Sequence, residues 1–493
     1  MTKNSSVSGL FKHTFIYGLG DLARKLVGFF LIPLYTKFMT PGDYGVLQLS
    51  LFFIAFWQIL YSFGMTTAFF RYYLDSGDEV NKKKIFSTTL WSILVIDAVL
   101  SVIMILNAGA VSKFLFGHPG EESVVVVVIL VLLVESVVQV PLLLLRALDR
   151  SRIFLLYVII QLAVALVMNY ILVAVYHLGP YGALFANLIS STLLLALLVP
   201  VASGSTRLVF SWQAFRHLLR YGLPFVPSAI SLMVMNISDQ YLLRYFRGLE
   251  ETGLYALSYK FGMAINLFIT GLRYAWIPFI FRVSGEPDAN RLYARTFEIT
   301  VALLSLVYFV ICTFLPEIYR LVVDQTYHGA IGIVPLVALS YILFGLHVIF
   351  VAGIYLEDQT SYIARIGLTA AVVNILLNLV AIPRYGMWGA TVTTLVSFSV
   401  LIVLVYRKSQ EVHRIPYDLG RAARVLLLSI LLMAAVRLIE WGEPVTVFTM
   451  KLFVFAFYLF LLRTMGYLKM DKLKEISSWW KGGSEEASST KGT

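Results

Sequence analysis

Apolar runs of about 20 residues, the length that crosses a bilayer as a helix, alternate with short polar connections along the whole chain. They predict about fourteen helices, over 14–36, 45–70, 86–110, 122–145, 153–176, 181–202, 218–243, 252–279, 296–322, 330–355, 363–383, 388–406, 423–440 and 446–466. The connections are not alike. Lys and Arg gather in every second one: "NKKK" at 81–84, Arg146/Arg150/Arg152, Arg207/Arg216/Arg220, Arg282/Arg291/Arg295 and Arg407/Lys408/Arg414/Arg421/Arg424. This bias marks one side as cytoplasmic and, with an even number of spans, puts both termini there. The opposite loops, such as "HLGPYG" at 177–182 and "IPRYGM" at 382–387, are too short to hold a catalytic domain.

Composition sharpens this into an all-α, polytopic membrane protein. Of 493 residues, 59% are hydrophobic and 14% charged, and the mean hydropathy is +0.82. A net charge of +11 could serve nucleic acid, but the basic residues are dispersed among loops as topology signals, so no nucleic-acid partner is expected. The single cysteine, Cys312, excludes an intrachain disulfide or a cysteine metal site. The start of the chain has no small-residue cleavage site, so the first helix is read as directing insertion. The Ser-rich tail, 467–493, reads as cytoplasmic and disordered.

Three pairs of segments repeat. "YGLGDL" (17–22) pairs with "YGLPFV" (221–226), "TPGDYGVLQLS" (40–50) with "GLEETGLYALS" (248–258), and "NYILVAVYHLGPYGALFANLIS" (169–190) with "NLVAIPRYGMWGATVTTLVS" (378–397). Offsets of roughly 204 to 209 residues are those of a duplicated six-helix unit, which repeats in the same orientation about an axis along the membrane normal. The expected organisation is an N-lobe at 1–206, a C-lobe at 207–411 and two additional helices at 412–466. A substrate would sit between the lobes near the midplane.

Charge inside an apolar span is costly, about 3 kcal/mol per ionised group on insertion scales, and so marks function or pairing. Asp21, Arg24 and Lys25 lie roughly 10–15 Å into the first span, on one helical face at spacings of three and four. Asp21 can pair fully with one cation. The trio therefore leaves about one positive charge for an anionic ligand. Arg273 is a second deep cation; Lys260 is a weaker candidate that can snorkel outward, and Arg71 stands near the cytoplasmic rim as a first contact for a head group. Asn236, Asp239 and Gln240 form a polar patch toward the outer end of the seventh span. Asp239, Asp97, Glu135, Glu298 and Lys451 are candidates for charge balance or for a coupling Na+ or H+, although helix-locking pairs explain several equally well, Lys451 above all. Asn169, Asn374 and Asn378 are read as interhelical hydrogen-bonding groups, and aromatic residues as belt and core.

Enzyme signatures fail. "GLGDLA" (18–23) fits a dinucleotide pattern but has no preceding strand and lies inside a membrane span. GxxxxGK[ST], GxSxG and HExxH do not occur, and the seven histidines are scattered, His347 alone in its helix. No catalysis, metal or cofactor is expected beyond a coupling ion.

The stretches "YGLGDLARKLVGFFLIPLYTKFMTPGDYGVLQLS" and "YGLPFVPSAISLMVMNISDQYLLRYF", followed by "TGLYALSYKFG", resemble the polysaccharide-biosynthesis, Wzx-type O-antigen flippases of the multidrug/oligosaccharidyl-lipid/polysaccharide exporter superfamily. The resemblance implies a MATE-like pair of six-helix lobes plus two helices. It also implies flipping of an oligosaccharide linked to undecaprenyl pyrophosphate to the outer leaflet of the plasma (inner) membrane by alternating access, for O-antigen, exopolysaccharide or a similar polymer. Membrane lipids and a polymerase or ligase would be its partners. Carried over, the anion-holding role falls on Arg24 and Lys25, then Arg273, with Arg71 and Lys260 weaker, and Asp21 balances them or takes the coupling ion. The rivals are a cation-coupled drug antiporter, which would want acidic cavity groups, and a membrane glycosyltransferase.

Overall fold

The computed structural model describes residues 27–207, 209–438 and 444–467. The described residues form helices joined by short turns. In the first half they are α1 (Ile32–Phe38), α2 (Pro41–Ser62), α3 (Met65–Asp75), α4 (Glu79–Leu106), α5 (Ala108–Phe116), α6 (Glu122–Ala147), α7 (Ser151–Asn169, continued by a π-helical turn over Tyr170–Val175), α8 (Gly179–Ser203) and α9 (Trp212–Gly222). The second half has α10 (Phe225–Arg247), α11 (Leu249–Met263), α12 (Asn266–Val283), α13 (Ala289–Val322), a 3-10 segment (Gln325–Ile333), α14 (Val334–Phe350), α15 (Ala352–Leu356), α16 (Ser361–Val412), α17 (Leu419–Leu438) and α18 (Pro444–Thr464).

Ten of these helices are long and apolar enough to cross a membrane, and the pair α11/α12, bent by 45°, makes an eleventh span. The protein is thus a multi-pass membrane protein. α16 runs for 52 residues but breaks at Gly386 (φ 54, ψ −132), so its two arms are separate spans. α10 has the length of a span, and its polar residues keep its hydropathy low. The short apolar helix over 27–38 brings the helices among the described residues to about the fourteen that hydropathy predicts.

Several boundaries differ from the expected ones. The run 45–70 is two helices, because Phe63 (φ 44) and Gly64 (φ 70) both turn left-handed. Gly64 sits there because a Cβ would fall 2.9 Å from Gly222 Cα. The span expected from 218 begins instead at Phe225, after Pro224. What precedes it is α9, an amphipathic helix capped by Ser211, whose Oγ accepts from Ala214 N at 3.3 Å. Pro41 at the first helical position and the Thr40/Asp43 capping box, with bonds of 3.0 and 3.2 Å, start α2 where "TPGD" stands.

Contacts divide the described residues into two compact units. The first holds residues up to Ala256 together with Val322–Tyr327 and Ile382–Gly386; the second holds the remainder. In the first unit the Val-rich α6 packs against α8, α4 and α2. Met65, Phe69, Phe86, Ile93, Val140 and Leu144 form one buried cluster there, and Val138, Leu142, Phe154, Val158 and Leu194 a second. In the second unit α13, α17 and α18 are joined at three heights. Arg421 meets Glu298 at 3.1 Å, the Phe309 and Tyr458 rings pack at a tilt with centroids 4.8 Å apart, and Lys451 meets Glu317 at 2.8 Å. The two C-terminal helices are therefore bound to this unit by charge as well as by apolar packing.

Candidate functional site

Asp21, Arg24 and Lys25 lie outside the described residues, as does the side chain of Asn236. The other predicted groups fall into separate settings. Arg71, exposed within α3, holds its guanidinium 4.6 Å from the Tyr221 ring. Asp239 is buried in α10, where it accepts from Tyr255 Oη at 2.6 Å and Gln240 N at 2.8 Å. Tyr255 belongs to the repeated "TGLYALS", so this motif anchors the polar patch. Lys260 and Arg273 stand on either side of the α11/α12 bend. Arg273 is exposed and lies 5.5 Å over Phe344, which stacks on His347 at 5.9 Å. Glu298 accepts from Arg421, and Glu135 from Asn187 at 3.2 Å and Ser191 at 3.5 Å. Asn169 accepts from Tyr35 at 2.7 Å and Asn378 donates to Asn374 at 3.0 Å, both as helix-to-helix or intrahelical bonds.

Asp97 is the most isolated of the acids. It is fully buried in α4, and neither carboxyl oxygen has a well-formed hydrogen bond among the described residues. The Ser136 hydroxyl of α6 approaches it without completing one. Tyr61 and Ser101, bonded to each other at 3.0 Å, lie in the same region. Such a carboxyl can take up a proton or a small cation at low geometric cost.

Beside Ser136 the first unit holds a cavity of about 370 Å³ between α2, α3, α6 and α10. Gln58, Ser62, Thr66, Thr67, Ser136 and Gln139 supply its polar wall, and Ala55, Leu143, Phe225 and Ala229 part of its apolar wall. None of these residues is among the charges singled out in the sequence. The signal that could have found them is a lone amide in each of two apolar runs, "FFIAFWQILYS" and "VVQVPLLLL".

On the side opposite the basic loops, the repeated segments 40–45 and 248–253 touch each other inside the first unit. A Cβ on Gly253 would fall 2.9 Å from Gly45 N, and one on Gly45 3.3 Å from Gly253 N. Each would also strike backbone of the other segment, at Pro41 and Leu249. Pro41 corresponds to Leu249 and Gly45 to Gly253 in the repeat, so the contact is two-fold symmetric in kind. The layer is completed by Tyr327 Oη donating to Met39 O at 3.0 Å, Asp324 N to Thr36 Oγ1 at 3.3 Å and Arg247 Nε to Ile382 O at 3.4 Å.

The profile of the family described as "Polysaccharide biosynthesis protein" matches residues 10–284. The chain belongs to that family. Among curated relatives, the "Probable low-salt glycan biosynthesis flippase Agl15" of Haloferax volcanii is 24% identical over 231 residues, 45% of this chain and 49% of the relative. A membrane protein of Methanocaldococcus jannaschii is 25% identical over 194 residues, 38% of this chain and 45% of the relative. The chain spans about half the length of the curated relatives it matches. Among solved structures, the lipid II flippase MurJ in an inward closed conformation aligns with TM-score 0.68 at 12% identity, covering 91% of this chain and 99% of MurJ. An inward-facing MATE transporter of the MOP superfamily aligns with TM-score 0.63 at 13% identity, over 78% and 94%. A Pyrococcus furiosus MOP transporter with a binding pocket of reversed polarity aligns with TM-score 0.59 at 15% identity, over 82% and 95%. The polysaccharide-biosynthesis family thus has here the MATE- and MurJ-like fold, in agreement with the resemblance seen in the sequence.

Proposed function

We propose that this chain flips a polyprenyl-pyrophosphate-linked oligosaccharide, of the undecaprenyl type, from the cytoplasmic to the outer leaflet of the plasma membrane. The family match over residues 10–284 carries the reading, and the fold shared with a lipid II flippase and a relative named as a glycan flippase support it. Arg24 and Lys25 hold the diphosphate and Asp21 balances them, with Arg273, and more weakly Lys260 and Arg71, as further cation candidates. Asp97, and in second place Asp239, takes the coupling Na+ or H+, and Glu298 keeps α17 in place. The cycle is alternating access: the head group enters from the side of the basic loops while the prenyl tail stays in lipid. The contact of segments 40–45 and 248–253 closes the opposite exit. A polymerase or ligase consumes the product, and both termini are cytoplasmic.

The test is leaflet exposure of a lipid-linked oligosaccharide in proteoliposomes, with wild type and Arg24→Ala/Lys25→Ala. Losing charge-assisted hydrogen bonds worth about 1.5–3 kcal/mol should slow movement at least about tenfold in the folded variant. Unchanged movement would assign the trio a structural role. No movement by wild type, with export of a cationic dye in its place, would make the protein a drug antiporter. Incorporation of radiolabelled sugar would make it a glycosyltransferase.

A further inference from the structure

We infer that the cavity between α2, α3, α6 and α10 is a subsite for an uncharged sugar residue of the transported glycan. The inference rests on the flippase reading. Four observations converge on it. The wall has two carboxamides and four hydroxyls but no charged side chain. That is the chemistry that matches sugar hydroxyls, which both donate and accept. The amides of Gln58 and Gln139 and the hydroxyls of Thr66 and Thr67 make no hydrogen bond among the described residues. Unpartnered polar groups in a membrane span are costly unless they face water or a ligand. The helix is broken at the cavity: Phe63 and Gly64 are left-handed, so the first turn of α3, at Thr66 and Thr67, opens onto it. The volume, about 370 Å³, falls at the small end of ligand sites, which run from about 300 to 1,000 Å³. It suits a sugar residue rather than a whole oligosaccharide, with Phe225 and Ala55 offering apolar surface to ring C–H groups.

The consequence is a division of labour. Cations hold the diphosphate common to all carriers, whereas this neutral wall reads the sugar. The test measures affinity of the full-length protein in nanodiscs for two probes, undecaprenyl pyrophosphate bearing a neutral trisaccharide and undecaprenyl pyrophosphate itself. The wild type should prefer the glycosylated probe, and Gln58→Leu/Gln139→Leu should shrink that preference at least about tenfold, as expected for two lost hydrogen bonds. Ala229→Trp, which fills the cavity while leaving every polar group in place, should have the same effect and guards against a folding defect in the double variant. A preference intact in both variants, or absent in wild type, overturns the subsite. Leaflet movement of the glycosylated probe is scored in parallel. If wild type binds with this preference yet moves neither probe, the flippase reading fails while the sugar site stands.

Discussion

Gly253→Ala is expected to cut leaflet movement of a lipid-linked oligosaccharide by a factor in the range of roughly five to 150. The reason is geometric. The added methyl would lie where Pro41 carbonyl oxygen now stands and 2.9 Å from Gly45 N, so segments 40–45 and 248–253 could no longer meet as they do. Overpacking of this kind costs about 1–3 kcal/mol, and in a two-state cycle that energy shifts the balance between states by the corresponding factor. The proposed cycle needs the contact both to form and to part, so a bias in either direction slows it. Spin labels at the exposed positions Lys37 and Glu250 report the change directly, because both sit in the same unit, beside the contact. The variant should show a longer distance distribution than wild type. Gly42→Ala is the control, since its Cβ would meet only Thr40 Oγ1 at an ordinary 3.8 Å. Wild-type rates and distances in Gly253→Ala would rule the contact out as a gate.

That contact shows where sequence reading succeeds and where it stops. The repeat "TPGDYG"/"GLEETG" is visible as a pattern, and so is the helix start at Thr40, because capping is local chemistry. That the two copies touch, and that their glycines are small because backbone passes there, is tertiary information absent from either segment alone. The break at Phe63–Gly64 escaped for a similar reason. "LYSFGMTTAFF" carries no charge and no proline, so the hydropathy signal runs across it. The family was legible in the stretches that open each repeat, and the profile match over residues 10–284 covers both. Isolated intramembrane charges were legible as costly, but cost does not name a partner. Glu298 is held by Arg421 from α17, while Asp97 keeps both oxygens without a completed bond among the described residues. A single amide in a span, such as Gln58 or Gln139, reads as interhelical glue until a cavity is seen beside it.

Lys451→Met should strongly destabilise the second unit. Lys451 is fully buried in α18 and its ammonium donates to Glu317 Oε1 at 2.8 Å, while Glu317 Oε2 is buried with no hydrogen-bond partner among the described residues. Removing the cation strands a carboxylate within an apolar span, and losing one member of a buried pair costs about 3–5 kcal/mol. Glu317 retains 24% side-chain exposure, which places the expected loss near the lower end. The double variant Lys451→Met/Glu317→Gln removes the stranded charge and should recover most of the loss, with a coupling between the two sites of about 1–3 kcal/mol. Unfolding of purified protein in detergent, followed at one heating rate because membrane proteins of this size unfold irreversibly, supplies the comparison. A neutral single variant would mean that the pair is solvated enough to dispense with its cation. A single variant that is stable but inactive would move Lys451 from the scaffold to the transport pathway, since a merely structural pair has no reason to affect turnover once the fold survives.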